Sequence, residues 1–401
     1  MSSMSNETRF MARLLNLSLL AATLLASGIT AASSRCNIRL LANILASQHR
    51  ASAIFAEAVP QGGSFGQGKA DIEFPVNATN LPALCAVSIN VRSSVNSSYN
   101  LGLFLPDQTW NSRLLATGNG GFGGGINWAD MGRFSQYGFA TLSTDTGHVS
   151  LETDGSWALN SPARVIDWGY HAMHGSLVLG KEIIKAYYRV PDIEYSYFAG
   201  CSTGGRQALK EIQLHPDSLD GIAIGAPTWK IPTLAGATTR LGLLNYPADE
   251  PYHIDPSRFP SIVREVVRQC DGQDGLVDGI VSDPLGCNFD FEQLRCGTST
   301  SECFTLPQLG TIRNFYSDWI DANRTFVFPG MSLGADPTFL LSVPQGYDYY
   351  KYFVYNDPNW DFTQLSYEDI IYANNVDPGD AAADDYDLTA FMERGVKHLV
   401  P

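Results

Sequence analysis

The sequence predicts an α/β protein with a mostly parallel sheet, because strand-like and helix-like patterns alternate through its first half. Apolar residues at helical spacing cover residues 167–188. In the run YSYFAGCSTGG, residues 195–205, a strand pattern leads into Gly-x-Ser-x-Gly and a helical pattern follows over 206–214. Further apolar runs typical of buried strands cover residues 113–117, 137–143 and 220–225.

The amino terminus has the pattern of a secretory signal peptide, predicted to cover residues 1–32. Arg9 and Arg13 precede an apolar run over 14–29, and small residues suited to cleavage follow it. A membrane anchor is disfavoured, because the run is short for a span and Asn16 and Ser18 interrupt it. The chain is therefore expected to be secreted and extracellular. Acceptor sequons for N-glycosylation agree with this expectation and begin at Asn77, Asn96 and Asn323.

The overall charge excludes some classes of partner. The chain of 401 residues has 26 basic and 41 acidic residues, a formal net charge of −15. Such a charge argues against nucleic acid or an anionic membrane surface as a partner.

Changes in pattern along the chain predict its domain organisation. Residues 33–229 form the first part of the core, and short alternating segments before residue 111 predict an antiparallel edge of the sheet. Residues 230–385 are rich in Pro, Asp, Tyr and Phe and hold four of the seven cysteines, which predicts an inserted lid domain. Residues 386–401 return to the core with a helix over 387–394 and a strand over 396–400.

A glycine-rich run, GNGGFGGG at residues 118–125, follows the strand pattern at 113–117. It contains Gly-x-Gly-x-x-Gly, the dinucleotide fingerprint, and Asp145 follows the next strand as that fingerprint requires. However, residues 126–131 do not show the apolar-periodic helix that should come next. The favoured interpretation is a loop whose backbone N–H, at Gly120 or Gly121, donates a hydrogen bond to an oxyanion.

The central motif is Gly200-Cys201-Ser202-Thr203-Gly204. A serine on a sharp strand-to-helix turn is presented above the sheet as a nucleophile, and flanking glycines leave room for the strained backbone. The amide of Thr203, at the start of the helix, is then a second oxyanion donor. The alternative is a glycine-rich turn with an idle serine, since the motif alone is common.

The same residues resemble a known family. GCSTGGRQALKEIQLHPDSLDGIAIGAP is similar to the nucleophile region of the fungal tannase and feruloyl esterase family, and the resemblance extends from about residue 36 to about residue 397. It implies an α/β-hydrolase-type fold with an inserted lid, and a serine esterase that forms an acyl-enzyme. The implied substrates are phenolic esters, either feruloyl esters of plant cell-wall polysaccharide or, as the alternative, the gallate esters of tannins.

The resemblance also implies a disulfide pattern. Cys201 is expected to stay unpaired, because its partner in the family lies beside the catalytic histidine and no cysteine follows Cys303. The implied disulfides are Cys36–Cys85, Cys270–Cys287 and Cys296–Cys303.

A short acidic loop, CDGQDGLVDGIV from residue 270, indicates a structural calcium site. Three carboxylates within eight residues suit a hard cation that binds oxygen, although a solvated acidic turn is the alternative. By resemblance to the calcium loop of the family, the ligands are the carboxylates of Asp271, Asp274 and Asp278 and the carbonyls of Leu276 and Ile280.

The catalytic acid and base are not recognisable. The order in this fold class is Ser, Asp, His, and the family places the acid and the histidine after a strand that follows Gly395. His398 falls within that strand and is not assigned as the base, and His171 and His174 are expected to be packing or surface residues. The chain as given is therefore expected to lack the C-terminal part of the core and to be inactive. Either the gene model is truncated or mis-spliced, or the product is a catalytically dead secreted binding protein.

Overall fold

The computed structural model describes residues 35–48, 50–297, 302–338, 345–395 and 397–399. The predicted signal peptide, residues 1–32, lies outside the described residues. Within them, no helix combines the length and the apolar character that crossing a bilayer requires.

The strands of the described residues are β1 Ala51–Val59, β2 Gly63–Phe65, β3 Ala78–Leu81, β4 Leu84–Arg92, β5 Ser98–Pro106, β6 Arg113–Thr117, β7 Ala140–Thr144, β8 Tyr195–Cys201, β9 Gly221–Gly225, β10 Trp319–Ile320, β11 Phe326–Phe328 and β12 Lys397–Leu399. Eight of them form one sheet in the order β1-β4-β5-β7-β6-β8-β9-β12, and two small two-stranded sheets pair β2 with β3 and β10 with β11. Neighbours from β7 to β12 in this order pair in parallel, whereas β1, β4, β5 and β7 pair antiparallel with one another. The predicted parallel sheet and its antiparallel edge are both confirmed.

Helices cover both faces of this sheet. Successive side chains of a strand point to opposite faces, so Leu103 and Phe104 of β5 lie on different sides. Leu103 belongs to the apolar cluster that contains Leu177, whereas Phe104 belongs to the cluster of Trp128. The α-helices are α1 Ile38–Ile44, α2 Trp128–Ser135, α3 Pro162–Ile166, α4 Ala172–Tyr188, α5 Thr203–Leu214, α6 Ile231–Leu244, α7 Phe259–Cys270, α8 Leu306–Phe315, α9 Gln345–Asp348, α10 Tyr367–Val376 and α11 Thr389–Met392.

Two helices differ from the sequence-based expectation. Residues 126–131 do lead into a helix, α2, because the side chain of Asn127 caps it by accepting a hydrogen bond from the Asp130 N–H at 3.1 Å. The helix is only eight residues long, too short for a clear apolar period. Near the carboxyl terminus, α11 is shorter than the predicted 387–394. The Asp387 carboxylate accepts the Thr389 N–H at 3.0 Å, so the helix begins after that turn.

The segment 230–385, here called the insertion, lies between β9 and β12, which pair directly in the sheet. Its described part is mainly helical and has an apolar cluster of its own, which includes Phe259, Ile262 and Phe315. A second cluster joins Ile231 and Tyr350 of the insertion to Phe122 and Trp168 of the core. The described part of the insertion is thus packed against the core at the carboxyl ends of the strands, while its role as a lid stays a prediction.

The three disulfides implied by the resemblance are confirmed. Their Cα–Cα distances are 5.3 Å for Cys36–Cys85, 5.6 Å for Cys270–Cys287 and 4.7 Å for Cys296–Cys303. Cys201, next to Ser202, is a free and exposed cysteine, as expected.

Candidate active site

Ser202 occupies the turn between β8 and α5. Its backbone has φ 55° and ψ −120°, a conformation that a residue with a Cβ rarely adopts. The Ser202 N–H donates to the Gly225 carbonyl at 3.0 Å, and its own carbonyl accepts from Arg206 N at 3.1 Å and Thr228 N at 3.2 Å. Hydrogen bonds from three sides therefore hold the strained residue at the carboxyl end of the parallel strands.

Glycines around this turn allow three backbone segments to approach one another closely. A Cβ at Gly200 would lie 2.7 Å from the Gly204 carbonyl carbon, and one at Gly118 would lie 2.4 Å from Gly204 Cα. Both distances are well below an ordinary contact, so only glycine fits at these two positions. The glycine-rich loop 118–125 is thereby in direct contact with the first turn of α5.

Hydrogen bonds attach this loop to α5. Asn119 N donates to Gln207 Oε1 at 3.0 Å, and Gln207 Nε2 donates to Asn119 Oδ1 at 3.1 Å. The Thr203 hydroxyl donates to the Gly121 carbonyl at 2.9 Å. These bonds hold the loop and the helix start as one unit, so their backbone N–H groups keep a constant relative position.

The outer side of the loop is held through the Phe122 carbonyl. This oxygen accepts from His148 Nε2 at 2.9 Å, Ser150 Oγ at 3.1 Å and Trp157 Nε1 at 3.0 Å. Because Nε2 faces a carbonyl, it carries the proton, and burial lowers the pKa of His148 to about 4. A neutral histidine therefore positions the loop, a role that sequence reasoning missed.

A cavity opens between Ser202 and the insertion. Gly121 and Thr203, two of the predicted oxyanion donors, line it together with Ser202, whereas Gly120 is not among its lining residues. Glu152 is the titratable side chain among them. The wall from the insertion consists of Ile231, Leu234, Ala235, Thr238 and Gly346.

Acidic side chains lie behind the glycine-rich loop. Glu73 Oε2 accepts the Glu152 N–H at 2.7 Å, and Asp71 Oδ2 accepts the Ile126 N–H at 2.9 Å. Burial, with the neighbouring negative charges of Glu152 and Asp71, raises the pKa of Glu73 to about 7. Burial also raises the pKa of Asp71. These acids, which the sequence analysis did not single out, determine the charge next to the loop.

A buried cation, Arg206, links α5 to two neighbouring segments of the backbone. Arg206 is fully buried and donates to three carbonyls, those of Gly169 at 2.6 Å, Ala381 at 2.9 Å and Trp168 at 3.1 Å. Its guanidinium also lies 4.3 Å from the centre of the Trp168 ring. Burial lowers the pKa of Arg206 to about 10. The arginine thus connects α5 to Ala381, in the last part of the insertion.

The histidines named in the sequence analysis contact other groups. His171 Nδ1 lies 3.0 Å from Asp167, and His174 Nδ1 lies 3.1 Å from Glu211. His398 lies in β12 opposite Ile222. Across the described part of the chain, no histidine is hydrogen-bonded to the Ser202 hydroxyl.

Asp145, the acidic residue of the dinucleotide fingerprint, is bound to other parts of the protein. The Asp145 carboxylate accepts from Asn100 N at 2.7 Å, Asn100 Nδ2 at 2.6 Å and Gly147 N at 2.9 Å. It is thus tied to a strand and a turn of the protein itself.

The acidic loop at 270–280 is folded around its own backbone. Asp271 Oδ1 accepts from Asp278 N at 3.1 Å and Gly279 N at 3.0 Å, and Asp274 Oδ1 accepts from Leu276 N at 2.9 Å. The described ranges contain no group of three His, Cys, Asp or Glu arranged to hold a metal ion. The loop has suitable oxygen ligands, but its three carboxylates do not converge on one point in this structure.

Comparison with known proteins gives a consistent result. A family model described as "Tannase and feruloyl esterase" matches residues 85–329. A probable feruloyl esterase B-1 of Neosartorya fischeri is 35% identical over 324 residues, 79% of this chain and 61% of the relative. A probable feruloyl esterase B-1 of Aspergillus oryzae is 34% identical over 337 residues, 82% of this chain and 61% of the relative. The chain thus spans about 61% of the length of the curated relatives it matches.

Solved structures agree with the sequence relatives. Feruloyl esterase B from Aspergillus oryzae superposes with a TM-score of 0.82 at 30% identity, covering 92% of this chain and 74% of that one. An esterase from the same organism gives 0.83 at 29% identity, covering 91% and 73%. Tannin acyl hydrolase from Aspergillus niger gives 0.74 at 19% identity, covering 92% and 74%, which shows a shared fold.

Proposed function

Since the chain belongs to the tannase and feruloyl esterase family, a family of carboxylic ester hydrolases, we propose that it hydrolyses phenolic esters through Ser202. The observation that carries the proposal is the backbone of Ser202, at φ 55° between a parallel strand and a helix. A strained, hydrogen-bonded serine at this place is the geometry of a nucleophile elbow.

In the proposed reaction, Ser202 Oγ attacks the ester carbonyl and forms a tetrahedral intermediate. Collapse of the intermediate breaks the C–O bond, releases the alcohol with a proton and leaves an acyl-serine, which water then hydrolyses. The N–H groups of Thr203 and Gly121 stabilise the oxyanion, with Gly120 as the alternative to Gly121. One such donor is typically worth about 10²–10³ in rate. Donors held as firmly as these need little reorganisation during the reaction.

The reaction needs a group that accepts the serine proton. No histidine of the described residues is hydrogen-bonded to the Ser202 hydroxyl, so we assign this role to an imidazole outside them. If no such group exists in the full-length gene product, the cavity would bind phenolic esters without hydrolysing them.

We assign a feruloyl ester of plant cell-wall polysaccharide as the substrate and a tannin gallate ester as the alternative. The support comes from the probable feruloyl esterases at 34–35% identity. The apolar side chains of Phe122, Ile231 and Leu234 on the cavity wall suit an aromatic acyl group. In this proposal the insertion acts as the lid that completes the pocket.

The test compares the full-length gene product with its Ser202→Ala variant on methyl ferulate and methyl gallate. We expect Ser202→Ala to lower kcat by at least about 10³-fold at unchanged Tm. The matched control is Ser64→Ala, an exposed serine in β2, which should keep full activity. Equal activity of the wild type and Ser202→Ala would refute the nucleophile. Binding of both esters without turnover would instead identify a binding protein, and faster turnover of methyl gallate would identify a tannase.

We also propose that the protein is secreted and glycosylated, and that the acidic loop binds calcium as a structural ion. The confirmed disulfides support secretion, because such bonds persist in oxidising compartments. The calcium proposal rests on the hard oxygen donors of Asp271, Asp274 and Asp278, with the carbonyls of Leu276 and Ile280. These donors would have to turn towards one point when the ion binds.

A further inference from the structure

Outside the candidate active site, an open cavity of about 600 Å³ lies beside β1 and β4, the antiparallel edge strands of the sheet. Arg50, Arg92 and Arg164 line it, and all three are exposed. None of their guanidinium groups makes an ion pair or a hydrogen bond with a described residue. In a chain with 41 acidic and 26 basic residues, three arginines without acidic partners in one cavity are unexpected. We call this cavity the arginine pocket.

Two carboxylates near the arginine pocket, Asp167 and Asp145, are buried, hydrogen-bonded to other groups and not among its lining residues. Asp167 is buried, and its Oδ2 accepts from the hydroxyls of Ser93 and Ser97, each at 2.6 Å. Asp145 is also buried and accepts from the N–H groups of Asn100 and Gly147, as described above. The lining of the pocket holds no carboxylate: it consists of the three guanidinium groups, neutral Ser and Asn side chains, and the small or apolar residues Ala51, Val95 and Gly147. Guanidinium groups without a nearby exposed carboxylate favour the binding of an anion.

The arginine pocket and Ser202 lie at the same end of the strands, the end where β4 and β8 both finish. Strands β4 and β7 both run antiparallel to β5, and β6 and β8 run parallel to β7. The carboxyl ends of β4 and β8 therefore lie on the same side of the sheet, with Arg92 as the last residue of β4 and Ser202 directly after β8. Four strand spacings separate β4 from β8 (β4-β5, β5-β7, β7-β6, β6-β8), or about 19 Å at about 4.8 Å each. One extended polymer can span that distance.

We propose that the arginine pocket binds the carboxylate of an acidic sugar, a uronic acid unit of the polysaccharide whose ester lies at Ser202. The choice of a polysaccharide rests on the proposed function, whereas recognition of an anion follows from the pocket alone. Arginine is suited to this role because its planar fork binds a carboxylate through two parallel hydrogen bonds. A second contact on the same polymer raises the effective concentration of its ester groups at Ser202.

The binding test uses isothermal titration with trigalacturonate, xylotriose and inorganic phosphate. Asn96, the acceptor of a predicted sequon, also lines the pocket. An open pocket requires this asparagine to carry no glycan in the native protein, so a glycan found at Asn96 by mass spectrometry would overturn the proposal. Every protein in the titration carries Asn96→Gln to keep the pocket free. We expect trigalacturonate to bind and neutral xylotriose not to bind. Arg92→Gln and Arg164→Gln should each weaken trigalacturonate binding by about fivefold, as the loss of one exposed ion pair predicts.

The matched control is Arg264→Gln, which removes the same charge from the insertion, where Arg264 pairs with Glu302 at the surface. Its affinity for trigalacturonate should stay within about twofold of the parent. Melting temperatures of all variants identify any that are unfolded, and the salt dependence of the parent protein then provides a second readout. Binding of trigalacturonate that is equal in all variants, or insensitive to salt, would overturn the proposal. Phosphate binding as tight as trigalacturonate would show a general anion site and also overturn the choice of a sugar. Because titration does not measure turnover, the result is independent of whether Ser202 is a nucleophile.

Discussion

Gly118→Ala is expected to separate the glycine-rich loop from the elbow helix. A Cβ at this position would lie 2.4 Å from Gly204 Cα, 3.0 Å from Gln207 Oε1 and 3.2 Å from the Gly204 carbonyl carbon. Two of these atoms belong to the backbone of α5 and cannot move alone, since that turn carries Ser202. An ordinary contact needs about 1 Å more, so the loop and the helix must move apart by roughly that distance.

The expected effects on stability and on rate are different in size. Overpacking a tight interface typically costs about 1–3 kcal/mol, so a moderate fall in Tm is expected. A 1 Å misplacement of catalytic groups can cost about 10²-fold in rate. The Gly121 N–H is on the displaced loop and Thr203 N–H is on the helix, so kcat for ester hydrolysis should fall by about that factor. KM should change less, because the apolar wall from the insertion is not displaced.

The assay measures kcat and KM on methyl ferulate and the free energy of unfolding in urea, on the full-length gene product. Gly310→Ala is the matched control: Gly310 lies within α8, and a Cβ there meets no atom within 4 Å. That control should be neutral or stabilising by up to about 1 kcal/mol, since alanine favours helix. Unchanged kcat and unchanged stability in Gly118→Ala would refute the close contact between the loop and the elbow. A loss of stability with unchanged kcat would refute only the role of the loop in the reaction.

Three further predictions concern charge and metal. The folded-state pKa of Glu73, about 7, is above its ordinary value of 4.5, so its protonated form stabilises the fold. The wild type should therefore lose stability relative to Glu73→Gln as the pH rises from 4.5 to 7 in urea titrations, and parallel curves would contradict this. Arg206→Ala leaves three buried carbonyls without their donor and should cost about 3 kcal/mol, after allowing for the recovered cost of burying the cation; an unchanged urea midpoint would contradict this. Removal of calcium by a chelator should lower the Tm, and Asp274→Ala should lower it equally and abolish the response to chelator; a Tm indifferent to chelator would rule the site out.

Much of the core could be predicted because its signals are local. The strand at 113–117 was predicted with its observed ends, and the elbow was predicted from five consecutive residues. A motif of this kind depends on the steric limits of a few adjacent backbones, which the residue types express directly. The disulfide pairs followed from the resemblance to a family, and spacing alone did not determine them.

The surroundings of Ser202 could not be predicted, because they depend on contacts between distant parts of the chain. Glu73 meets Glu152, 79 residues later, and His148 meets the carbonyl of Phe122, 26 residues earlier. Each of these side chains is an ordinary polar residue until folding buries it. Burial, with the neighbouring charges of Glu152 and Asp71, raises the pKa of Glu73, and burial keeps His148 neutral.

By itself, the sequence determined the alternation of strands and helices around residues 113–225, the serine at the turn and the family resemblance, since periodicity and short motifs are local properties. The tertiary structure decided which N–H groups share a cavity with Ser202 and which charges lie behind the glycine-rich loop. It also brought three arginines together in one cavity near the end of β4. The physical reason is that hydrogen bonding, desolvation and charge depend on neighbours in space, and packing alone determines those neighbours.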